Sequence, residues 1–262
     1  MPFALLAVGV KCWLLRYEVV GGFGAMAEEK DIHFMSEDEL KQHWREYADL
    51  HEDEFLNPIF SGVRQKKNKW AILTAGAPGS GKSEVINSIY GPLMQDFVHI
   101  DADDFRKLFP KYNGANASDY QKGATKLVDR AFRRALNESQ SFILEGTFNS
   151  QSSASNIKRA LNHDYSVRIV YTYLEPEIDW RFVVQRAIKT GRQVPKSAFV
   201  NGFLNIPQNI AQILSKYGDR IEIEMYAGLG HQQHIYRGVE AVIEHLPNDI
   251  SRDRLEAIVN GN

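Results

Sequence analysis

The chain is poor in the features that mark secreted, membrane-embedded or nucleic-acid-binding proteins. One cysteine, Cys12, occurs in 262 residues. No intramolecular disulfide framework can form, and the expected setting is a reducing one. No apolar run approaches the roughly 20 residues needed to cross a bilayer. The apolar pieces at residues 3–10 and 12–15 have no basic residue ahead of them and flank Lys11, which argues against a secretory signal. Charge is balanced, 31 Lys+Arg against 33 Asp+Glu, and no basic stripe is laid out for a polyanion. His231 and His234 (HQQH) have no cysteine beside them and read as a surface loop rather than a metal centre. The G-x-S-x-G pattern of hydrolytic serines is absent, as are internal repeats and low-complexity tracts. What is left is a protein expected to be soluble, with 44% hydrophobic residues, enough for one good core, and with neither nucleic acid nor membrane expected as a partner.

Against that plain background one stretch carries information. Residues 70–83 read WAILTAGAPGSGKS. The apolar run at 70–74 predicts a buried parallel strand. The following Gly76-Ala77-Pro78-Gly79-Ser80-Gly81-Lys82-Ser83 fits G-x-x-x-x-G-K-[ST], the Walker A pattern. Its glycines let backbone N–H groups close around phosphate oxygens, and the helix that follows aims its positive end at the same place. Lys82 is expected to reach the β- and γ-phosphates and Ser83 to ligate Mg²⁺. The chain is therefore expected to bind ATP with Mg²⁺.

Downstream, strand and helix signals alternate. Strands are predicted at 97–100, 142–144, 167–174 and, last, 221–225. Helices are predicted at 82–90, 120–137, 151–161, 177–190, 197–217 (kinked or divided by Pro207) and 252–259. This order implies an α/β fold, a parallel sheet flanked by helices, with ligands gathered at the carboxyl ends of the strands. Ahead of it, residues 36–51 predict a helix opened by a capping box of Ser36 and Glu39, with Leu40, Trp44 and Tyr47 as its apolar stripe. The division expected is an N-terminal extension at 1–30 outside the core, with Met26 as an alternative start, then a helical segment at 31–68 and the catalytic domain at 69–262.

Acidic groups fall at two of the strand ends. His99-Ile100 runs into Asp101-Ala102-Asp103-Asp104, a candidate general base or metal site in which one aspartate also caps a helix. Residues 142–144 run into Glu145-Gly146-Thr147, and a lone acid at such a position commonly holds the metal through water. Arg186 and Arg192, around Lys189 and Gly191, are candidates for closing on a transferring phosphoryl group.

Taken in this order, the phosphate loop, I-D-x-D followed by an aromatic and a basic residue (Ile100 to Arg106), E-G-T (Glu145 to Thr147) and the arginine pair with G-R-x-x-P resemble the zeta toxin family of P-loop kinases. The resemblance implies that Asp103 is the catalytic base, that Arg186 and Arg192 hold ATP phosphates, and that Asp129, Glu145 and Thr147 help to place the acceptor. It further implies transfer of the γ-phosphate of ATP to the 3′-hydroxyl of the amino sugar of UDP-N-acetylglucosamine, which starves peptidoglycan synthesis, and an antitoxin as partner. Asp129 stands where well-known members carry Glu, Asn149 where some carry a basic residue, and the arginines are more closely spaced, so the acceptor stays open. A kinase of another small molecule or nucleotide is one alternative, and an ATP-binding regulatory module another. The acidic segment around Glu37 to Glu54 is a further candidate: an inhibitor in cis facing Lys82, Arg186 and Arg192, or a helix that only packs.

Overall fold

The computed structural model describes residues 35–150 and 152–261. The expected extension at 1–30, Cys12 and the alternative start Met26 lie outside the described residues, as does Gln151. In chain order the elements are α1 (Glu37–Leu50), α2 (Glu52–Phe60), β1 (Trp70–Ala75), α3 (Lys82–Tyr90), β2 (Val98–Ile100), α4 (Ala102–Leu108), α5 (Gln121–Asn137), β3 (Phe142–Leu144), α6 (Ser152–Asn162), β4 (Ser166–Tyr173), α7 (Pro176–Thr190), α8 (Lys196–Tyr217), β5 (Ile221–Ala227), β6 (His234–Arg237), α9 (Val239–Glu244) and α10 (Arg252–Asn260).

The strands form one sheet in the order β2-β3-β1-β4-β5-β6, with every neighbouring pair parallel except β5–β6. β1 lies in the middle, with Leu73 level with Leu144 on one side and Ile169 on the other. Its side chains alternate between two cores. Ala71, Leu73 and Ala75 enter the larger cluster, and Ile72 joins Ile86, Tyr90, Ile143 and Val170 on the opposite face. A strand buried on both sides has no polar face, which is why residues 70–75 are almost uninterruptedly apolar. The chain passes from one flank of β1 to the other between β3 and β4, so the crevice at the carboxyl end of β1 is the natural ligand position of such a sheet.

Three features depart from the sequence-based expectation. β5 is not the last strand, because the short β6 pairs antiparallel along its edge, and α9 follows. A second N-terminal helix, α2, follows the one expected at 36–51 and runs through Pro58. Phe55, Leu56, Ile59 and Phe60 all bury there, and that burial outweighs the lost backbone donor. Pro207 neither divides nor ends α8, in which it lies buried.

The capping box forms as expected, Glu39 N–H donating to Ser36 Oγ at 3.4 Å and Ser36 N–H to Glu39 Oε2 at 2.9 Å. α1 packs across α5 at Gly123, where a Cβ would come within 2.6 Å of the Trp44 carbonyl oxygen, so only glycine allows this approach. Trp44, 3% exposed, stacks on Tyr120 at 4.6 Å between ring centroids and meets Phe109 edge-on. The acidic groups of this segment are taken up locally. Asp49 pairs with Lys126 and Arg130, Glu52 with Arg130 at 3.0 Å, and Glu37 with Lys41. No hydrogen bond or ion pair among the described residues joins them to Lys82, Arg186 or Arg192. Trp44→Ala is expected to cost about 3–5 kcal/mol of stability, the usual range for emptying a large aromatic site. Chemical denaturation measures this, and a near-wild-type midpoint would show that α1 is only loosely attached.

Candidate active site

The turn after β1 is built for anions. Gly76, Gly79 and Gly81 take φ of +148°, +103° and +82°, and α3 begins at Lys82 with its free N–H groups toward the loop. The loop is tied at its base, Gly76 N–H donating to the Thr147 carbonyl at 3.2 Å, and Thr74 Oγ1 bonds both the N–H and the carbonyl of Gly146. Strand ends β1 and β3 are thereby fixed together, and this carries Glu145 and Thr147 to the loop. Lys82 folds back over the loop and donates to the carbonyls of Gly76 at 3.0 Å and Ala77 at 2.8 Å. Burial of its ammonium pushes its pKa down to about 8, with Asp179 and Glu145 pulling the other way.

A chain of hydrogen bonds runs along the strand ends. Ser83 Oγ donates to Glu145 Oε2 at 2.7 Å, Glu145 Oε1 lies 2.8 Å from His99 Nε2, and His99 Nδ1 lies 3.5 Å from Asp104 Oδ2, whose other oxygen takes Lys107. Burial disfavours a charged His99 ring, but its bonds to Asp104 and Glu145 and their negative charge prevail and push its pKa up to about 10. Both ring nitrogens then donate, and the imidazolium holds Glu145 facing Ser83. Asp101 caps α4 by accepting from Asp103 N–H at 2.9 Å, and burial beside Glu145 and Asp104 raises its pKa. Of the three aspartates after β2, therefore, one caps, one anchors His99, and Asp103 is left facing the arginines.

Asp103 accepts from three of them. Arg106 and Arg192 each bond one of its oxygens closely, and Arg186 Nη2 is 3.1 Å from Oδ2. Arg186 comes from α7 and Arg192 from the turn after it, where Gly191 at φ +74° ends the helix. The buried Arg106 also donates to Gln121 at the start of α5. The structure thus gathers Gly76 to Ser83, Asp103, Glu145, Thr147, Arg186 and Arg192 at one end of the sheet. Asp129 forms its ion pairs elsewhere, with Arg133 at 2.8 Å and Arg159 at 3.7 Å, and shares none with this cluster.

Sequence reasoning passed over His99, Gln121 and Asp179. His99 had a signal, a polar residue between two buried ones in a short strand at a site edge. Asp179 had none, because an acid in the first turn of a helix is ordinary. Its carboxyl is 0% exposed and neither oxygen has a hydrogen-bond partner among the described residues. His231 and His234 are exposed near β6, and no group of three or more His, Cys, Asp or Glu among the described residues could hold a metal ion.

The zeta toxin family model matches residues 53–240, most of the chain and all of this site. The chain belongs to the zeta toxin family. Toxin PezT of Streptococcus pneumoniae serotype 4 is 25% identical over 133 residues, 48% of this chain and 53% of that protein, so the match spans about half of the curated relative. Among solved structures, the PezAT chromosomal toxin–antitoxin system of Streptococcus pneumoniae superposes with a TM-score of 0.60 at 18% identity, covering 86% of this chain and 91% of the other. The AvrRxo1-ORF1:-ORF2 complex with ATP gives 0.54 at 13% identity, covering 83% and 73%. At these identities the structural likeness establishes the fold, a mostly parallel sheet flanked by helices, as the sequence implied.

The loop rests directly on α7, since a Cβ at residue 79 would fall 2.1 Å from Asp179 Oδ1 and 2.9 Å from its carbonyl oxygen. Gly79→Ala, which adds this clash to an unfavourable φ, is expected to lose about 1–3 kcal/mol of stability in urea titration. An unchanged transition would contradict this packing.

Proposed function

We propose that this zeta toxin family member is a kinase that transfers the γ-phosphate of ATP to the 3′-hydroxyl of the amino sugar of UDP-N-acetylglucosamine. The observation that carries the reading is the convergence of Asp103, Arg186 and Arg192 beside the phosphate loop. A candidate general base and two cations at one point suit phosphoryl transfer to a hydroxyl. The sugar nucleotide is the acceptor that the family's motifs imply.

In this account the phosphates of ATP lie on Gly76 to Ser83 and draw Lys82 off the Gly76 and Ala77 carbonyls. Arg186 and Arg192 exchange Asp103 for phosphate oxygens. The freed Asp103 carboxylate takes the proton of the acceptor hydroxyl as its oxygen bonds to the γ-phosphorus. The bond from that phosphorus to the β-bridging oxygen breaks, and ADP departs. Arg106, still on Asp103, keeps the base oriented. The hydroxyl of Ser83 backed by the Glu145 carboxylate is a hard oxygen set suited to Mg²⁺. Bound there, the ion would neutralise charge shared by the β- and γ-phosphates. Thr147 and Glu145, held beside the loop, are the residues we assign to the acceptor, and Asp129 would have to leave Arg133 and Arg159 to join them. An antitoxin that covers this crevice is the partner we infer, and a cytoplasmic setting follows from the substrates.

Incubation with ATP and Mg²⁺ and a panel of nucleotide sugars, read by mass, is expected to add one phosphate to UDP-N-acetylglucosamine. Phosphorylation of a different acceptor would retain the kinase and replace the substrate. Lys82→Ala is expected to abolish transfer, and Asp103→Asn to lower turnover by about two to four orders of magnitude, the usual worth of a positioned base. Asp101→Asn and Asp104→Asn are expected to cost less. Equal losses at all three would indicate a shared metal site in place of a base.

A further inference from the structure

Asp179 has no part in the scheme above, yet it is among the most completely buried polar residues of those described. It lies in the first turn of α7 with its carboxyl against Gly79, so close that the glycine has no room for a side chain. Neither carboxyl oxygen meets a donor among the described residues. Leaving such a group unsatisfied is costly, and an apolar residue of similar shape would cost less. Groups of this kind cluster at functional sites. Val183, one turn further along α7, touches the same glycine, and Arg186 follows one turn later on the same face. One helical face therefore supports the back of the phosphate loop and delivers an arginine to Asp103.

We propose that Asp179 is a positioning residue of the nucleotide site: its carboxyl, wedged behind Gly79, is the stop that holds the phosphate loop in its anion-binding shape on α7. The inference rests on the loop being a nucleotide site, as argued above. A small cavity bounded by Ala77, Ser80, Thr172, Asp179, Phe203 and Ile206 lies beside the wedge. With the carboxyl gone, that space and its own would merge, and the loop could sag into them. The groups that face Asp179 agree with such a role. Lys82 lies across the loop, Tyr171 on β4 is close enough to sense its charge, Tyr173 lines the same cavity, and α8 contributes only apolar side chains to it. Burial pushes its pKa up to about 8, with Lys82 alone opposing, so at neutral pH it carries a proton and sets no negative charge behind an anion site.

Two substitutions separate the wedge from its charge. Asp179→Asn keeps shape and neutrality, and Asp179→Ala removes the wedge. Calorimetric titration with ATP and Mg²⁺ at pH 7 is expected to give the Asn variant a Kd within about threefold of wild type. For the Ala variant it is expected to give a Kd raised by about tenfold or more, with kcat at saturating ATP little changed. Stability is expected to move separately. Folding raises the Asp179 pKa from 3.8 to about 8, so the folded protein binds the extra proton and wild-type stability falls as pH rises through that window. The melting temperature of Asp179→Asn relative to wild type is therefore expected to climb from pH 4 to pH 8, which reports the buried proton, while the rise in Kd at little-changed kcat is the readout that a merely structural role would not produce. Should the Ala variant fail to fold, Asp179→Ser is the second truncation. A truncated, folded variant that binds ATP as tightly as wild type overturns the proposal, and so does an Asn variant as weak as the Ala variant. Wild-type protein that binds no ATP at all overturns the nucleotide-site reading itself.

Discussion

The carboxylate of Asp103 is shared by Arg106, Arg186 and Arg192, and the rest of the site is arranged around that contest. Two of these cations belong to the reach of α7 and the turn behind it, the third to the same helix as the carboxylate, so the ion pairs tie α7 to α4 across the mouth of the crevice. Mutual satisfaction of this kind explains how so many like charges coexist. Arginines that would repel one another surround an acid, and the acids at the ends of β2 and β3 are offset by His99 and Lys107. In the same way Lys82 rests on loop carbonyls and Ser83 on Glu145. Each group assigned to ATP thus has an internal partner, and under the proposed function binding would be an exchange of partners instead of the filling of an open charged pocket. Such exchange would confer selectivity, because an anion would have to compete with Asp103 for the arginines.

The sheet makes this arrangement possible. β1 ends where the chain changes flank, and Thr74 and Gly76 tie its end to the strand-end loop of β3. Helix α7 leaves β4, the neighbour on the other flank, and backs the loop through Asp179 and Val183. The loop is thereby held from both sides by backbone bonds and by packing. Its positive φ values are then enforced by the fold, and the glycines meet them without strain.

Much of this was legible in the sequence because it depends on local rules. A strand, a glycine-rich turn and a helix carry the phosphate loop in consecutive residues, and Ser36 with Glu39 marks the start of α1 by short-range bonds alone. Asp103, Arg186 and Arg192 were singled out through motif order, and the structure brings the three together. What escaped depends on tertiary contact. α2 persists through Pro58 because four apolar residues bury, β6 pairs along the edge of β5, His99 acquires its role from Glu145 as well as its neighbour Asp104, and Asp179 from Gly79 far along the chain. Asp129 shows the converse. Its place on α5 is where the motif order puts it, but the arginines beside it, Arg133 and Arg159, determine what its carboxylate touches.

The central claim is that Asp103 and the phosphates of ATP compete for the same two arginines. Its most direct test is the ATP affinity of Asp103→Asn, measured by calorimetry without any acceptor present. Removing the carboxylate charge frees Arg186 and Arg192 before ATP arrives, so the variant is predicted to bind ATP more tightly than wild type although it cannot turn over. The gain should be on the order of 5- to 150-fold, the span of typical coupling energies. Equal or weaker binding by a folded Asp103→Asn protein would contradict the account, because the arginines would then owe nothing to Asp103 in the empty site.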